Sequence, residues 1–303
     1  MSVTRRGLLS LAALSALPAR NWEDARLGIF CHLGADEASA RKTLAAARAA
    51  GFRRAQISFP WPRVSQPYLK SLPGWLRSEG VQAEVLSAYV NCCNPEAVLM
   101  DCRRQDFARA FEVAGTLRCR HLAAWTGSYI TELMKPDPRN FAPAASDAIS
   151  KFLEGYTLRL ERAGLTLALE TYITLACPDA PSLRRLLDRL PNCVGAVLDP
   201  PNLTPPKRYA QRDQTLEEMV RTLKERVALV HLKDFSLAPD GESYNLPGPL
   251  KGQMNYALYL REILSLPGSP PIVAEHLSIQ EYAEARRNLL PAFRKAAAQK
   301  LSY

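Results

Sequence analysis

Four metal-capable side chains stand at the ends of short apolar runs: Leu167-Ala168-Leu169-Glu170, Ala196-Val197-Leu198-Asp199, Leu229-Val230-His231 and Ile272-Val273-Ala274-Glu275. A carboxylate placed directly after an apolar run is costly to desolvate unless a positive charge sits beside it. Taken singly, each acid reads as a helix cap, a salt-bridge partner or a solvated loop residue, and His231 as a hydrogen-bonded core imidazole. Taken together at one rim, they form an O,O,O,N donor set of roughly −3 formal charge, suited to Mn2+, Mg2+, Co2+ or Zn2+ rather than to a thiolate-bound metal. One divalent ion would offset the repulsion. Glu170, Asp199, His231 and Glu275 are therefore the expected ligands.

Such a set needs elements that deliver four strand ends to one place. From Leu27 onward, runs of strand length alternate with stretches of helical periodicity rich in Ala, Leu, Arg and Glu. The expected strands cover residues 28–33, 53–59, 82–88, 120–124, 165–170, 194–199, 228–231 and 272–275. Helical patterns lie at 37–50, 105–116, 146–163, 183–190, 216–226 and 279–298, with Gly51 and Gly164 where helix ends favour a left-handed residue. Eight strand–helix units without clean polar alternation predict a single α/β domain, a closed (β/α)8 TIM barrel, over residues 25–298. A doubly wound sheet would more often carry a Gly-rich phosphate turn after its first strand, and this chain has neither GxGxxG nor GxxxxGK[ST]. In a barrel, chemistry gathers at the C-terminal strand ends, where the four side chains fall.

Composition removes other classes. The chain has 303 residues, 47% of them apolar and 23% charged, which excludes intrinsic disorder and collagen-like repeats. No apolar run approaches the ~20 residues that span a bilayer, so stable membrane insertion is not expected. The net charge of +9 is dispersed in pairs such as Arg53-Arg54 and Arg184-Arg185, without aromatics interleaved in a basic cluster. It reads as solvated helix faces, and no nucleic-acid partner is expected. Seven cysteines, without zinc-ribbon spacing, read as small buried hydrophobes.

The segments Leu-Glu-Thr-Tyr (169–172), Leu-Asp-Pro-Pro-Asn (198–202), Val-His-Leu-Lys-Asp-Phe (230–235) and Val-Ala-Glu-His-Leu (273–277) resemble the xylose isomerase-like TIM barrel superfamily, and within it the sugar phosphate isomerase/epimerase family. His-x-Lys-Asp and the loop Leu-Pro-Gly-Pro-Leu-Lys-Gly-Gln-Met-Asn-Tyr (246–256) are the most specific pieces. The resemblance implies one divalent metal on Glu170, Asp199, His231 and Glu275, a small carbohydrate substrate, and a pair of glutamates flanking it as proton-transfer groups. A metal holding a sugar's carbonyl and neighbouring hydroxyl stabilises the enediolate formed when the adjacent carbon loses its proton. One glutamate removes that proton and the other returns it, giving a metal-dependent sugar or sugar phosphate isomerase or epimerase. Barrel members often dimerise, so a homodimer is an admissible assembly for this chain, although the sequence carries no interface signal.

Further residues surround this set. Lys233 could stabilise enolate charge or simply pair with Asp234. Asn202 stands where several ketose epimerases carry a histidine, and Leu237 where they carry an arginine, so a ketose 3-epimerase assignment is not inherited. His32, Trp61 and Trp125 are substrate-contact candidates, the tryptophans as an apolar wall for a sugar ring, with ordinary packing as the alternative. His276 should point away from Glu275 and serve structure. Alternative functions are an inosose-type dehydratase or other lyase, for which His-Leu-Lys-Asp is suited, and a non-catalytic sugar-binding barrel. A three-zinc nuclease needs more imidazoles than this chain's four.

The N-terminus reads as an address. Thr4-Arg5-Arg6-Gly7-Leu8-Leu9 places two arginines before a modest apolar run, so residues 1–19 resemble a twin-arginine signal and favour a periplasmic location over a cytoplasmic one. Residues 299–303 are expected as a C-terminal tail.

Overall fold

Eight parallel strands close on themselves in a computed structural model that describes residues 26–300. The expected signal segment, residues 1–19, lies outside the described residues, as do residues 301–303 of the expected tail. The strands are β1 (Leu27–His32), β2 (Arg54–Ser58), β3 (Gln82–Asn91), β4 (His121–Trp125), β5 (Thr166–Glu170), β6 (Val194–Leu198), β7 (Val227–Leu232) and β8 (Ile272–Ala274). Their order around the barrel is sequential, with β8 closing on β1. The expected TIM barrel is what forms.

The principal helices are α1 (Glu37–Ala49), α2 (Gln66–Glu79), α3 (Arg104–Leu117), α4 (Pro143–Ala163), α5 (Ala180–Leu187), α6 (Arg212–Leu223), α7 (Tyr256–Leu264) and α8 (Tyr282–Lys300). They cover the outside of the sheet. On α4, Ile149, Leu153 and Leu160 are fully buried, each contributing ~1.5–3 kcal/mol of apolar transfer. Gly164 ends that helix in the left-handed region, φ 62°, as expected from its place in the sequence.

Inside the barrel a second, smaller core contains Val85, Ala123, Ala168, Val197, Leu229 and Val273. Side chains two apart along a strand share a face, so the next inward positions above these residues are Ser87, Trp125, Glu170, Asp199, His231 and Glu275. The apolar plug of the barrel thus forms the floor of a polar layer. All seven cysteines are free thiols, six of them buried, and burial pushes Cys31 up to about 12. Among the described residues no helix is long and apolar enough to cross a membrane.

Strand ends differ from expectation where they meet the site. β3 continues three residues past Ala88 to Asn91, helped by an irregular register against both neighbours. Asp199 and Glu275 fall just beyond β6 and β8, although the Glu275 amide still donates to Leu232 O at 3.0 Å. The last helix continues to Lys300, into the segment expected as tail.

Candidate metal centre

His231 sits on β7 between β6 and β8, and its Nδ1 faces carboxylates carried by the strands around it. That nitrogen lies 3.6 Å from Glu170 Oε1, 3.4 Å from Asp199 Oδ2 and 3.3 Å from Glu275 Oε2. Glu170, Asp199 and His231 each offer one ligand atom within 4.8 Å of the others. Glu275 joins them through the imidazole. All four residues expected as ligands are thereby brought together, with 7% exposure at most. Asp199 precedes a one-turn helix, Pro200–Leu203, yet its side chain makes no capping bond, so the bland explanation for an acid at a strand end does not hold there.

Neighbouring strands set the orientation of these groups. Gln56 on β2 donates through Nε2 to Ser87 Oγ at 3.1 Å and Tyr89 OH at 3.0 Å, leaving Oε1 to accept from His231 Nε2 at 2.9 Å. The Tyr89 hydroxyl in turn donates to Glu170 Oε2 at 2.7 Å. Asn202 Nδ2 donates to Glu170 Oε1 at 2.8 Å, so both oxygens of this carboxylate are held. On the outer side, Tyr259 OH donates to Leu198 O and His231 O at 3.1 and 2.8 Å, fixing the backbones of β6 and β7 beside the centre.

Lys233, two residues beyond His231, does not pair with Asp234. Its Nζ lies 2.7 Å from Asp199 Oδ2 and 2.8 Å from Glu275 Oε1. Asp234 Oδ1 instead accepts the amides of Phe235 at 2.7 Å and Met254 at 2.9 Å, anchoring the loop before α7. A side chain at Gly252 would strike this carboxylate, which explains the glycine there. The ammonium offsets one of the three carboxylates, leaving about −2 when the imidazole is neutral, as metal ligation requires, and about −1 when it is protonated. Burial alone would lower His231, but Glu275 and Glu170 push it up to about 10. Burial would likewise raise Glu275, and His231 and Lys233 outweigh that to hold it at about 2. Lys233 is held above its ordinary value because Asp199 and Glu275 outweigh its desolvation.

The donor set fits a divalent cation on the molecule's own terms. Asp199 Oδ1 and His231 Nδ1 are buried without a hydrogen-bond partner, and Asp199 Oδ2 and Glu275 Oε1 are engaged by the Lys233 ammonium, with His276 Nε2 at 3.9 Å from Glu275 Oε1 although alternation along the strand would turn it away. Buried polar atoms seldom stay unpaired without a functional reason. The imidazole nitrogen that faces the carboxylates is the one left free when Nε2–H is committed to Gln56, the arrangement a metal-ligating histidine requires.

The remaining candidates divide. Asn202 reaches the centre through Glu170. Trp125 stacks on Tyr89 with centroids 4.9 Å apart, and its buried Nε1 has no partner. His32, Trp61 and Tyr89 help line a cleft of about 30 Å³. Trp61 itself packs on Phe59 and donates Nε1 to Ser87 O at 3.0 Å, so it is bound into the core more than presented to a ligand. His276 leaves the strand through a left-handed conformation, φ 57°, and its Nδ1 contacts Leu246 O at 3.0 Å. It ties the loop after β7 to the end of β8. Sequence reading missed Gln56 and Tyr89. The available signal was a lone amide inside the apolar run Ala55-Gln56-Ile57, at an inward-facing position.

A closed barrel whose C-terminal mouth gathers three acids and an imidazole defines a (β/α)8 protein with a candidate metal centre. The xylose isomerase-like TIM barrel family model matches residues 44–292, and the chain belongs to that family. Solved structures agree in fold. An L-ribulose 3-epimerase is 14% identical with a TM-score of 0.67, covering 91% of this chain and 96% of its own. A xylose isomerase-like TIM barrel protein from Mycobacterium smegmatis in complex with magnesium is 17% identical, TM-score 0.62, covering 86% and 89%. The IolI protein with a bound zinc atom is 14% identical, TM-score 0.57, covering 90% and 97%. No curated protein sequence matches the chain significantly.

Proposed function

We propose that this protein is a divalent-metal-dependent sugar isomerase or epimerase, with Glu170, Asp199, His231 and Glu275 as metal ligands and the two glutamates as proton-transfer groups. The observation that carries this reading is the His231 Nδ1 atom, buried, unpartnered and faced by three carboxylates within 3.6 Å. A bound divalent ion supplies Lewis acidity toward a carbonyl and its neighbouring hydroxyl, lowering the barrier to losing the proton between them. The chain's own groups do the rest. Glu170 is held from both sides by Tyr89 and Asn202, which fixes its direction toward the substrate carbon. Glu275, with one oxygen on Lys233, is the more exposed glutamate at 7% and is positioned to exchange its proton at the mouth. Trp125 and Tyr89 supply a stacked aromatic wall. The magnesium and zinc named for two structural neighbours and the 3-epimerase activity named for a third support the same reading.

The test combines metal content with isotope exchange. Protein purified under metal-replete conditions should retain one divalent ion per chain and incorporate solvent deuterium into members of a panel of ketoses, inososes and their phosphates. Absence of both would overturn the reading. A second reading, elimination of water, is favoured by the Lys233 ammonium, which stands 2.8 Å from Glu275 and could protonate a departing hydroxyl. An absorbing keto product in the same assay would select it.

A further inference from the structure

Two buried polar side chains around the centre, Gln56 and Tyr89, come from strands that contribute no ligand. Gln56 is fully buried, and Tyr89 is 6% exposed. They form a nearly closed circuit: His231 Nε2 to Gln56 Oε1, Gln56 Nε2 to Tyr89 OH, Tyr89 OH to Glu170 Oε2, and Glu170 Oε1 back to within 3.6 Å of His231 Nδ1. Each donor and acceptor role in this circuit follows from the others. The tyrosine hydroxyl has one proton and directs it to the carboxylate, so it accepts from the amide nitrogen. The amide's NH2 is then taken by Tyr89 and Ser87, and only its oxygen remains for the imidazole. An amide oxygen accepts and cannot donate, so Nε2 carries a proton and Nδ1 is the nitrogen available to a metal.

From this we infer that Gln56 and Tyr89 are positioning residues that set which imidazole nitrogen binds the ion and couple that choice to the orientation of Glu170. This inference rests on the metal reading above. It assigns a function to β2 and extends that of β3 beyond its contact with Glu170. Partners that orient a metal-ligating histidine typically change affinity by about 10–100-fold when removed.

The experiment uses the full chain, zinc ion alone as probe, and 15N-histidine labelling, which reports on only four histidines. In the zinc-loaded wild type, His231 should show a slowly exchanging Nε2 proton and a metal-shifted Nδ1. Gln56→Met should weaken zinc binding about 10–100-fold and lose the slow proton. Tyr89→Phe should keep that proton, because the amide oxygen remains, while weakening zinc binding through Glu170. Urea unfolding of each metal-free variant separates these effects from a loss of fold. Wild-type zinc affinity and an unchanged slow proton in Gln56→Met would overturn the inference, as would zinc on Nε2 in the wild type. If the wild type takes up no divalent ion at all, the metal reading fails and this inference falls with it.

Discussion

The Lys233 ammonium lies 2.7 Å from Asp199 Oδ2, with both side chains almost wholly withdrawn from solvent. A cation built into a cluster of acids lowers the charge that an ion must neutralise. It also fixes Asp199 Oδ2, the oxygen that faces His231, and Glu275 Oε1, whose partner oxygen Oε2 faces His231.

Lys233→Met should therefore destabilise the metal-free protein by ~3–5 kcal/mol, the usual result of removing one member of a buried ion pair. Added Mn2+ should restore more stability to this variant than it adds to the wild type, because the variant's centre holds one more uncompensated charge. Urea unfolding with and without Mn2+ measures both. Equal Mn2+ shifts in the two proteins would contradict the charge argument.

Glu275→Gln should abolish deuterium exchange into substrate, a loss of ~10²-fold or more, while the barrel stays folded. Unchanged exchange with a normal unfolding transition would remove Glu275 from the chemistry.

Asn202→Leu leaves Glu170 Oε1 without its donor at similar side-chain volume. The metal-free protein should lose ~1–3 kcal/mol, as expected when a buried acceptor goes unpaired. Denaturant titration would register no change if this hydrogen bond contributed nothing.

His121 lies at the start of β4, at the opposite end of the barrel from the centre. Burial holds it down at about 4 from an ordinary 6.5, against a backbone hydrogen bond to Glu84 that favours its charged form. Between those values the unfolded chain binds a proton that the folded chain does not, so its contribution to stability is present above pH 6.5 and lost as pH falls toward 4. The stability difference between wild type and His121→Gln should shrink over that window as pH falls. A difference independent of pH would show that His121 titrates normally.

Much of this molecule was readable from strand-end residues. Glu170, Asp199, His231 and Glu275 each follow a run too apolar to be a loop, and alternation along a strand aims such residues at the barrel axis. Lys233 was ambiguous because sequence adjacency suggested Asp234, whereas the same alternation places Lys233 on His231's side and turns Asp234 away toward the Met254 amide. Tyr89 was hidden because β3 extends beyond its apolar pattern through an irregular register, a tertiary effect no periodicity reveals. Helix α2 was obscured by Pro67, Pro73 and Gly74, which its Ser65 cap and buried face override. The short α7 likewise escaped the pattern, although its tyrosines brace the strands beneath the centre.

Asn91, at the top of β3, accepts the amides of Cys93, Asn94 and Ser128 and donates to the carbonyls of Ala97 and Ser128. One amide therefore stitches the loop after β3 to the loop after β4, and Gly127 (φ 102°) passes so close that any larger residue would collide with it. These two segments make a single lip. Remodelling the entrance for a bulkier guest by lengthening one of them would drag the other along, so the opposite margin of the mouth is where new specificity is most cheaply engineered.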